Sequence, residues 1–234
     1  MPPRKASYGI DRPDIVLFLI VAGLLSSILG EFRILLDPYQ GLSSGLTFLL
    51  FAAWFIVGSK FVKVREAKRV LNSISWRGDE IVLDVGCGRG LWLILAAKHL
   101  TSGKAIGIDV WNRRLQSGNS PKKTLDAAKI EGVADRVEVR DGDARSLRFD
   151  DKTFDLVVSS LVLHHLPPAE RRKALGEAYR VLKPGGEVIV LELSGANEYA
   201  KGFQGLGMIE VRKSTSKSHL FFGIRLIRAR KPLG

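Results

Sequence analysis

Ile81-Val82-Leu83-Asp84-Val85-Gly86-Cys87-Gly88-Arg89-Gly90 is an apolar run, acidic near its end, that flows directly into three glycines at alternate positions. It reads as a buried strand handing over to a tight loop, because glycine tolerates left-handed backbone and brings no Cβ where a ligand must approach closely. Residues 91–100, opening Leu-Trp-Leu-Ile-Leu-Ala-Ala, read as the helix that follows. Strand, glycine loop and helix make a cofactor loop in an α/β protein. The dinucleotide fingerprint wants its third glycine at position 91, which is Leu91, so the dehydrogenase reading fails by one residue.

Downstream, Gly103-Lys104-Ala105-Ile106-Gly107-Ile108-Asp109 reads as a second strand ending in an acid, where a carboxylate can accept both hydrogen bonds of a ribose diol. Arg136-Val137-Glu138-Val139-Arg140 alternates as a third strand and leads into Asp141-Gly142-Asp143-Ala144. Phe154-Asp155-Leu156-Val157-Val158-Ser159-Ser160 reads as a buried fourth strand. Val181-Leu182-Lys183-Pro184-Gly185-Gly186 is a turn ahead of a fifth strand over 187–193, and the rest of the chain holds a helix at 197–207 and strands at 208–214 and 219–228.

In this order the motifs resemble those of class I S-adenosylmethionine-dependent methyltransferases, over about residues 70–230. The resemblance implies a Rossmann-like α/β fold: a seven-stranded sheet with helices on both faces and an antiparallel pair at one edge. It implies S-adenosylmethionine as cofactor, held by Gly86, Cys87, Gly88 and Gly90, with Asp84 positioning the loop, Asp109 and Val110 at the ribose, Asp143 and Ala144 at the adenine, and Ser159 at the end of the fourth strand. Two of these residues carry ordinary structural readings as well. Cys87, the only cysteine, serves equally as a small apolar filler, and Asp143 as a turn residue.

Residues 15–30 and 42–58 carry no charged side chain, and Glu31, Arg33, Asp37 and Pro38 lie between them. Each run stands at the lower edge of the roughly 17 to 25 residues that cross a hydrocarbon core of about 30 Å. The expectation is a hairpin of two transmembrane helices, about 14–36 and 42–58, within an amino-terminal segment 1–60. A basic juxtamembrane helix or linker follows at 61–75, with Phe61, Val64, Ala67 and Leu71 on one face, and the methyltransferase domain at 76–234. A hydrophobic extension packed on a partner and a cleaved signal peptide are the alternatives. Arg4, Lys5 and Arg12 precede the first run and Lys60, Lys63, Arg65, Lys68 and Arg69 follow the second, with Arg33 alone between, so both termini and the catalytic domain are expected in the cytoplasm.

The 234 residues hold 36 Lys and Arg against 24 Asp and Glu, a formal net charge of +12, which invites either nucleic acid or an anionic membrane surface. The fourth strand exits as Ser159-Ser160-Leu161, without the Pro-Pro-aromatic sequence by which amino-methylating enzymes grip a flipped base, and no basic stretch is interleaved with aromatics. The membrane bilayer is the expected partner, and nucleic acid is not.

On the acceptor side, His164 and His165 lie in the loop before Pro167-Pro168, where a histidine can act as general base or merely pack. No third His or Cys stands at metal-ligand spacing beside them, so no metal is expected. Residues 110–121 form an excursion that reads either as a lid over the ligands or as a solvated connection, with a helix starting after Pro121. The functional expectation is a membrane-anchored methyltransferase of a lipid, quinone or other membrane-partitioned small molecule. The alternatives are a tethered methyltransferase of a soluble small molecule or protein, and a non-catalytic cofactor-binding scaffold.

Overall fold

A computed structural model of the chain describes residues 6–32, 37–215 and 224–233. The contacts divide them into two compact units. One comprises Gly9–Val64 with Asn112–Gly118; the other comprises residues 6–8, Arg65–Trp111 and the chain from Asn119 onward.

The first unit is a helical hairpin. Helices α1 (Pro13–Glu31) and α2 (Pro38–Val57) each begin with proline in the first turn, whose missing N–H is one the helix start leaves unpaired anyway. Asp37 caps α2 by accepting from Gln40 N at 2.9 Å. The helices meet along small residues: a Cβ on Gly41 would lie 2.5 Å from Gly30 Cα, and one on Gly45 would overlap the Ser27 hydroxyl. Such backbone-to-backbone approach is what glycine permits between apolar helices. Leu17, Phe18, Val21, Leu24, Leu42, Leu46 and Leu50 all point outward and are exposed. The first helix ends at Glu31, short of the expected residue 36; residues 33–36 lie outside the described residues.

Helix α2 does not break before the basic stretch. It runs through a π-helical turn, Gly58–Val62, into α3 (Lys63–Leu71). Val62, Glu66, Ala67, Val70 and Leu71 are buried, so Ala67 and Leu71 lie on the expected buried face, whereas Phe61 is exposed, which corrects its place there. The segment Asn112–Gly118 is held within this unit by backbone bonds from Arg12 N to Leu115 O and from Ser117 N to Ile10 O, and by Gln116 Nε2 to Asp11 Oδ1.

The second unit is built on a seven-stranded sheet. Its elements are β1 (Ile81–Val85), α4 (Leu91–Ala97), β2 (Lys104–Asp109), α5 (Pro121–Ile130), β3 (Val137–Asp141), β4 (Phe154–Ser160), α6 (Pro168–Val181), β5 (Leu182–Glu192), α7 (Ala196–Gly205), β6 (Ile209–Thr215) and β7 (Arg225–Arg230). The strand order is β3-β2-β1-β4-β5-β7-β6, with β7 antiparallel to both its neighbours and the others parallel. Strand side chains alternate between faces. Leu83 and Val85 join Val157, Leu175, Val181, Tyr199 and Phe203 in one buried cluster with α6 and α7, while Asp84 turns to the other face and meets α4. Strands covered on both sides read as largely apolar runs, as 81–85 and 154–158 do apart from Asp84 and Asp155.

Strand β5 begins at Leu182, within the expected turn: Leu182 pairs with Phe154 before the register shifts, and regular pairing resumes at Glu187 with Leu156. Gly185, at φ +76, makes that irregularity possible. Of the expected seventh strand, residues 219–223 lie outside the described residues.

Candidate active site

Strand order reverses between β1 and β4, and the ends of β1, β2, β4 and β5 converge there, the place where open α/β sheets take their ligands. On the β1–β2 side the loop glycines Gly86, Gly88 and Gly90 have φ of +75, +52 and +80. The amides of Gly86 and Cys87 both donate to Ile108 O, at 2.8 and 2.9 Å, and Thr124 Oγ1 donates to Gly88 O at 2.7 Å. A Cβ on Gly86 would sit 2.2 Å from Val162 Cγ2. The loop therefore needs glycine for its own packing as much as for a ligand.

Asp84 is buried and accepts from Leu93 N at 2.9 Å, which ties strand to helix across the loop. Desolvation pushes its carboxyl up to about 7, opposed by the Leu93 amide and reinforced by Asp109. Cys87 is buried, and desolvation pushes its thiol well above the ordinary range, with Asp84 and Asp109 adding to it. A thiol in that setting is poor thiolate and good filling.

Asp109 ends β2 and is nine-tenths buried. Its Oδ2 accepts from Gly88 N at 2.8 Å, and its Oδ1 from Trp111 N at 2.6 Å and Asn119 Nδ2 at 3.2 Å. Three of the four or so acceptor positions of the carboxylate are thus filled by the protein. Asn119 Oδ1, beside it, is buried with no protein partner. Val110 is exposed, whereas Ala144 is buried. Asp143 is clasped by Arg145 through both oxygens, and Arg145 Nη1 reaches Glu170 Oε2 at 2.7 Å. Those bonds from Arg145 hold the Asp143 carboxyl below the usual carboxylate range.

On the β4–β5 side Ser159 is buried, and its Oγ has no protein partner. The chain then passes Val162, which abuts Gly86, into the 3-10 turn Leu163–His165. Glu192, at the end of β5 and fully buried, holds this turn: Oε1 accepts from Val162 N at 2.9 Å and Leu163 N at 2.7 Å, and Oε2 lies 2.6 Å from His164 Nδ1. The His165 ring packs on His164 with centroids 3.9 Å apart. Directly after Glu192 opens a cavity of about 480 Å³ lined by Leu193, Ser194, Asn197, Lys213, Thr215 and Arg225.

The structure therefore gathers Asp84, Gly86, Cys87, Gly88 and Asp109 into one hydrogen-bonded loop, and seats His164 and His165 on the neighbouring turn. Glu192, Thr124 and Arg145 are the residues that sequence reasoning missed, and Asn119 entered only as part of the 110–121 excursion. Glu192 had a visible signal, an acid closing the apolar run Val188-Ile189-Val190-Leu191 just as Asp109 closes its own.

Residues 82–186 match the family model described as a methyltransferase domain. The sheet unit carries this methyltransferase domain. Its sequence is 40% identical over 130 residues to the demethylmenaquinone methyltransferase of Lactiplantibacillus plantarum, covering 54% of this chain and 51% of that protein. It is 33% identical over 142 residues to the chloroplastic 2-phytyl-1,4-beta-naphthoquinone methyltransferase of Arabidopsis thaliana, covering 59% and 52%. The chain spans about half the length of these curated relatives. Among solved structures, a S-adenosylmethionine-dependent methyltransferase from Aquifex aeolicus superposes with TM-score 0.57 at 20% identity, over 72% of this chain and 97% of that one. The [4+2]-cyclase SpnF superposes with TM-score 0.62 at 21% identity, over 75% and 84%. A cyclase shares the fold, so local groups rather than the fold set the chemistry.

The residues of the methyltransferase domain fit the family's cofactor. The buried acceptor Asn119 Oδ1 has no protein donor, and the glycine loop turns through left-handed backbone at 86, 88 and 90 beside it. Asp109 retains one acceptor position for a hydroxyl, with Asn119 Oδ1 beside it for a second.

Proposed function

We propose that this protein is a membrane-anchored methyltransferase that uses S-adenosylmethionine to methylate a quinone-type acceptor carrying an apolar tail. The observation that carries the reading is the likeness of its domain, at 40% and 33% identity, to two enzymes named for such acceptors. The hairpin supports it independently: its outer Leu and Phe side chains have no covering chain among the described residues, and both helices are long and apolar enough to cross a membrane. The distribution of Lys and Arg favours both termini and the methyltransferase domain on the cytoplasmic side.

In this reading Asp109 and Asn119 hold the ribose hydroxyls, the 86–90 loop lies against the cofactor, and Ala144 and Ser159 border it. Asp143 either frees an oxygen from Arg145 for the adenine amino group or serves only to fix its turn. When bound, S-adenosylmethionine supplies an electrophilic methyl group on a sulfonium centre. The protein's part is to align the acceptor and exclude water. His164 takes the hydroxyl proton of a reduced, hydroquinone-type ring, which raises the electron density of the adjacent ring carbon. The cavity after Glu192 receives the ring or its polar edge.

The test is methyl transfer by the full chain, in liposomes, from labelled S-adenosylmethionine to a naphthohydroquinone with an isoprenoid tail. The same ring without a tail and a cytosolic metabolite extract serve as controls. Transfer to the tailed ring is expected to dominate. Preferential labelling of the extract would support the soluble-acceptor alternative, and cofactor binding without transfer to any of them would support the scaffold. Resistance of the chain to alkaline carbonate extraction checks the anchor, and quantitative release would remove it from the proposal.

A further inference from the structure

We infer that Glu192 is a positioning residue that fixes the tautomer of His164; this rests on the reading of His164 as the base. An ionised carboxylate only accepts hydrogen bonds. With Oε1 occupied by the amides of Val162 and Leu163 and Oε2 at 2.6 Å from His164 Nδ1, the imidazole carries its hydrogen on Nδ1 and leaves Nε2 with a lone pair. That is the form able to take a proton. The group doing this lies on a different element from the histidine, is fully buried, and has no reason from packing alone to be an acid at the end of an apolar strand.

The rest of the surroundings hold the turn rather than the ring nitrogen. Arg171 donates to Leu166 O at 2.8 Å and to His164 O at 3.4 Å, and pairs with Glu198 of α7 at 3.0 Å. His165 packs on the ring face. Tyr199, on α7, keeps its phenol protonated: desolvation pushes it up to about 12, with Glu192 adding to that and Arg171 opposing it. Among these groups only Glu192 hydrogen-bonds a ring nitrogen of His164, so it dictates the tautomer.

Glu192→Gln separates positioning from folding. Two main-chain amides still demand an acceptor at Oε1, so the amide oxygen takes that place and the amide NH2 faces His164 Nδ1. A donor there forces Nδ1 to accept and moves the ring hydrogen to Nε2, which can then no longer act as base. The main-chain bonds and the volume at position 192 are preserved.

Two measurements on the full chain in detergent read this out. Long-range proton–nitrogen NMR correlations of His164 report the tautomer directly: Nδ1–H is expected in the parent and Nε2–H in Glu192→Gln. Turnover of a tailed naphthohydroquinone is expected to fall about 100-fold or more in Glu192→Gln, to the level of His164→Ala, with cofactor Kd unchanged and no further loss in the double variant. An Nε2–H tautomer in the parent overturns the inference whatever the activity, as does an unchanged tautomer in Glu192→Gln. If the tautomer switches as expected but His164→Ala retains full turnover, the base reading fails while the positioning by Glu192 stands.

Discussion

Asp109→Ala tests whether one carboxylate both builds the cofactor loop and reads the ribose. In the folded chain it satisfies the buried Gly88 amide, the Trp111 amide and the Asn119 side-chain amide. Alanine strands these donors. A buried donor left without an acceptor costs roughly 1 to 3 kcal/mol, and water can reach the half-buried Trp111 amide, so the expected loss of folding stability is about 2 to 5 kcal/mol. Cofactor binding should weaken separately. One charge-assisted bond to a hydroxyl contributes about 1.5 to 3 kcal/mol, roughly 10- to 150-fold in Kd. Asn119→Ala removes the neighbouring acceptor but leaves the Gly88 amide paired, so it should weaken binding while sparing most of the stability. Urea unfolding and titration calorimetry on the two variants separate the effects. An Asp109→Ala protein with the parent's urea midpoint and the parent's Kd would refute both roles; weakened binding in Asp109→Ala with none in Asn119→Ala would return the whole diol to Asp109.

Asp84 gives a pH signature. Its carboxyl sits at about 7 folded, against about 3.9 unfolded, so the folded state binds more protons between those values and stability falls as pH rises from about 4 to 7. Asp84→Asn, which can still accept from Leu93 N, should lose that slope; an identical slope in parent and variant, by urea unfolding across this range, would mean Asp84 does not titrate there. Gly86→Ala combines a left-handed φ, about 1 to 2 kcal/mol, with overlap of Val162. Val162→Ala in the same chain should recover the overlap part and not the backbone part, and a strictly additive double-mutant cycle would contradict the contact. Gly41→Leu should separate the hairpin helices, read as loss of disulfide cross-linking between cysteines placed on the facing sides of α1 and α2; undiminished cross-linking would contradict the close approach at Gly30 and Gly41.

Much of the sheet was legible because its signals are local. Phe154–Ser160 is a strand with the expected bounds, since a strand covered on both faces is marked by a mainly apolar run. The strand that ends at Asp109 was legible because a short apolar run closes there on an acid. Where the reading went astray, the cause was long-range or geometric. Helical periodicity does not forecast the π turn Gly58–Val62, and spacing alone places Phe61 on the buried face, where it is exposed. The entry into β5 was read as a turn because Pro184 and Gly185 mark one, and only pairing with Phe154 makes Leu182 part of the strand. The polar excursion that ends at Asn119 is legible as a candidate lid, but its contact with Asp109 is a tertiary one that local sequence does not specify.

The three acids that close apolar strands, Asp84, Asp109 and Glu192, are the same sequence signal put to three uses, and what separates them is the donor each one meets. Asp84 meets one helix amide and is otherwise desolvated, which makes it a costly clamp between strand and helix. Asp109 meets a glycine amide, a tryptophan amide and an asparagine, which leaves it shaping a loop with one acceptor position to spare. Glu192 meets two amides on one oxygen and an imidazole on the other, so its second oxygen controls a titratable ring. The parallel sheet fixes where these acids stand, at or next to the carboxyl ends of their strands. What each acid does is fixed by which donors the adjoining loops present to it, and those loops are where this chain's own chemistry has to be sought.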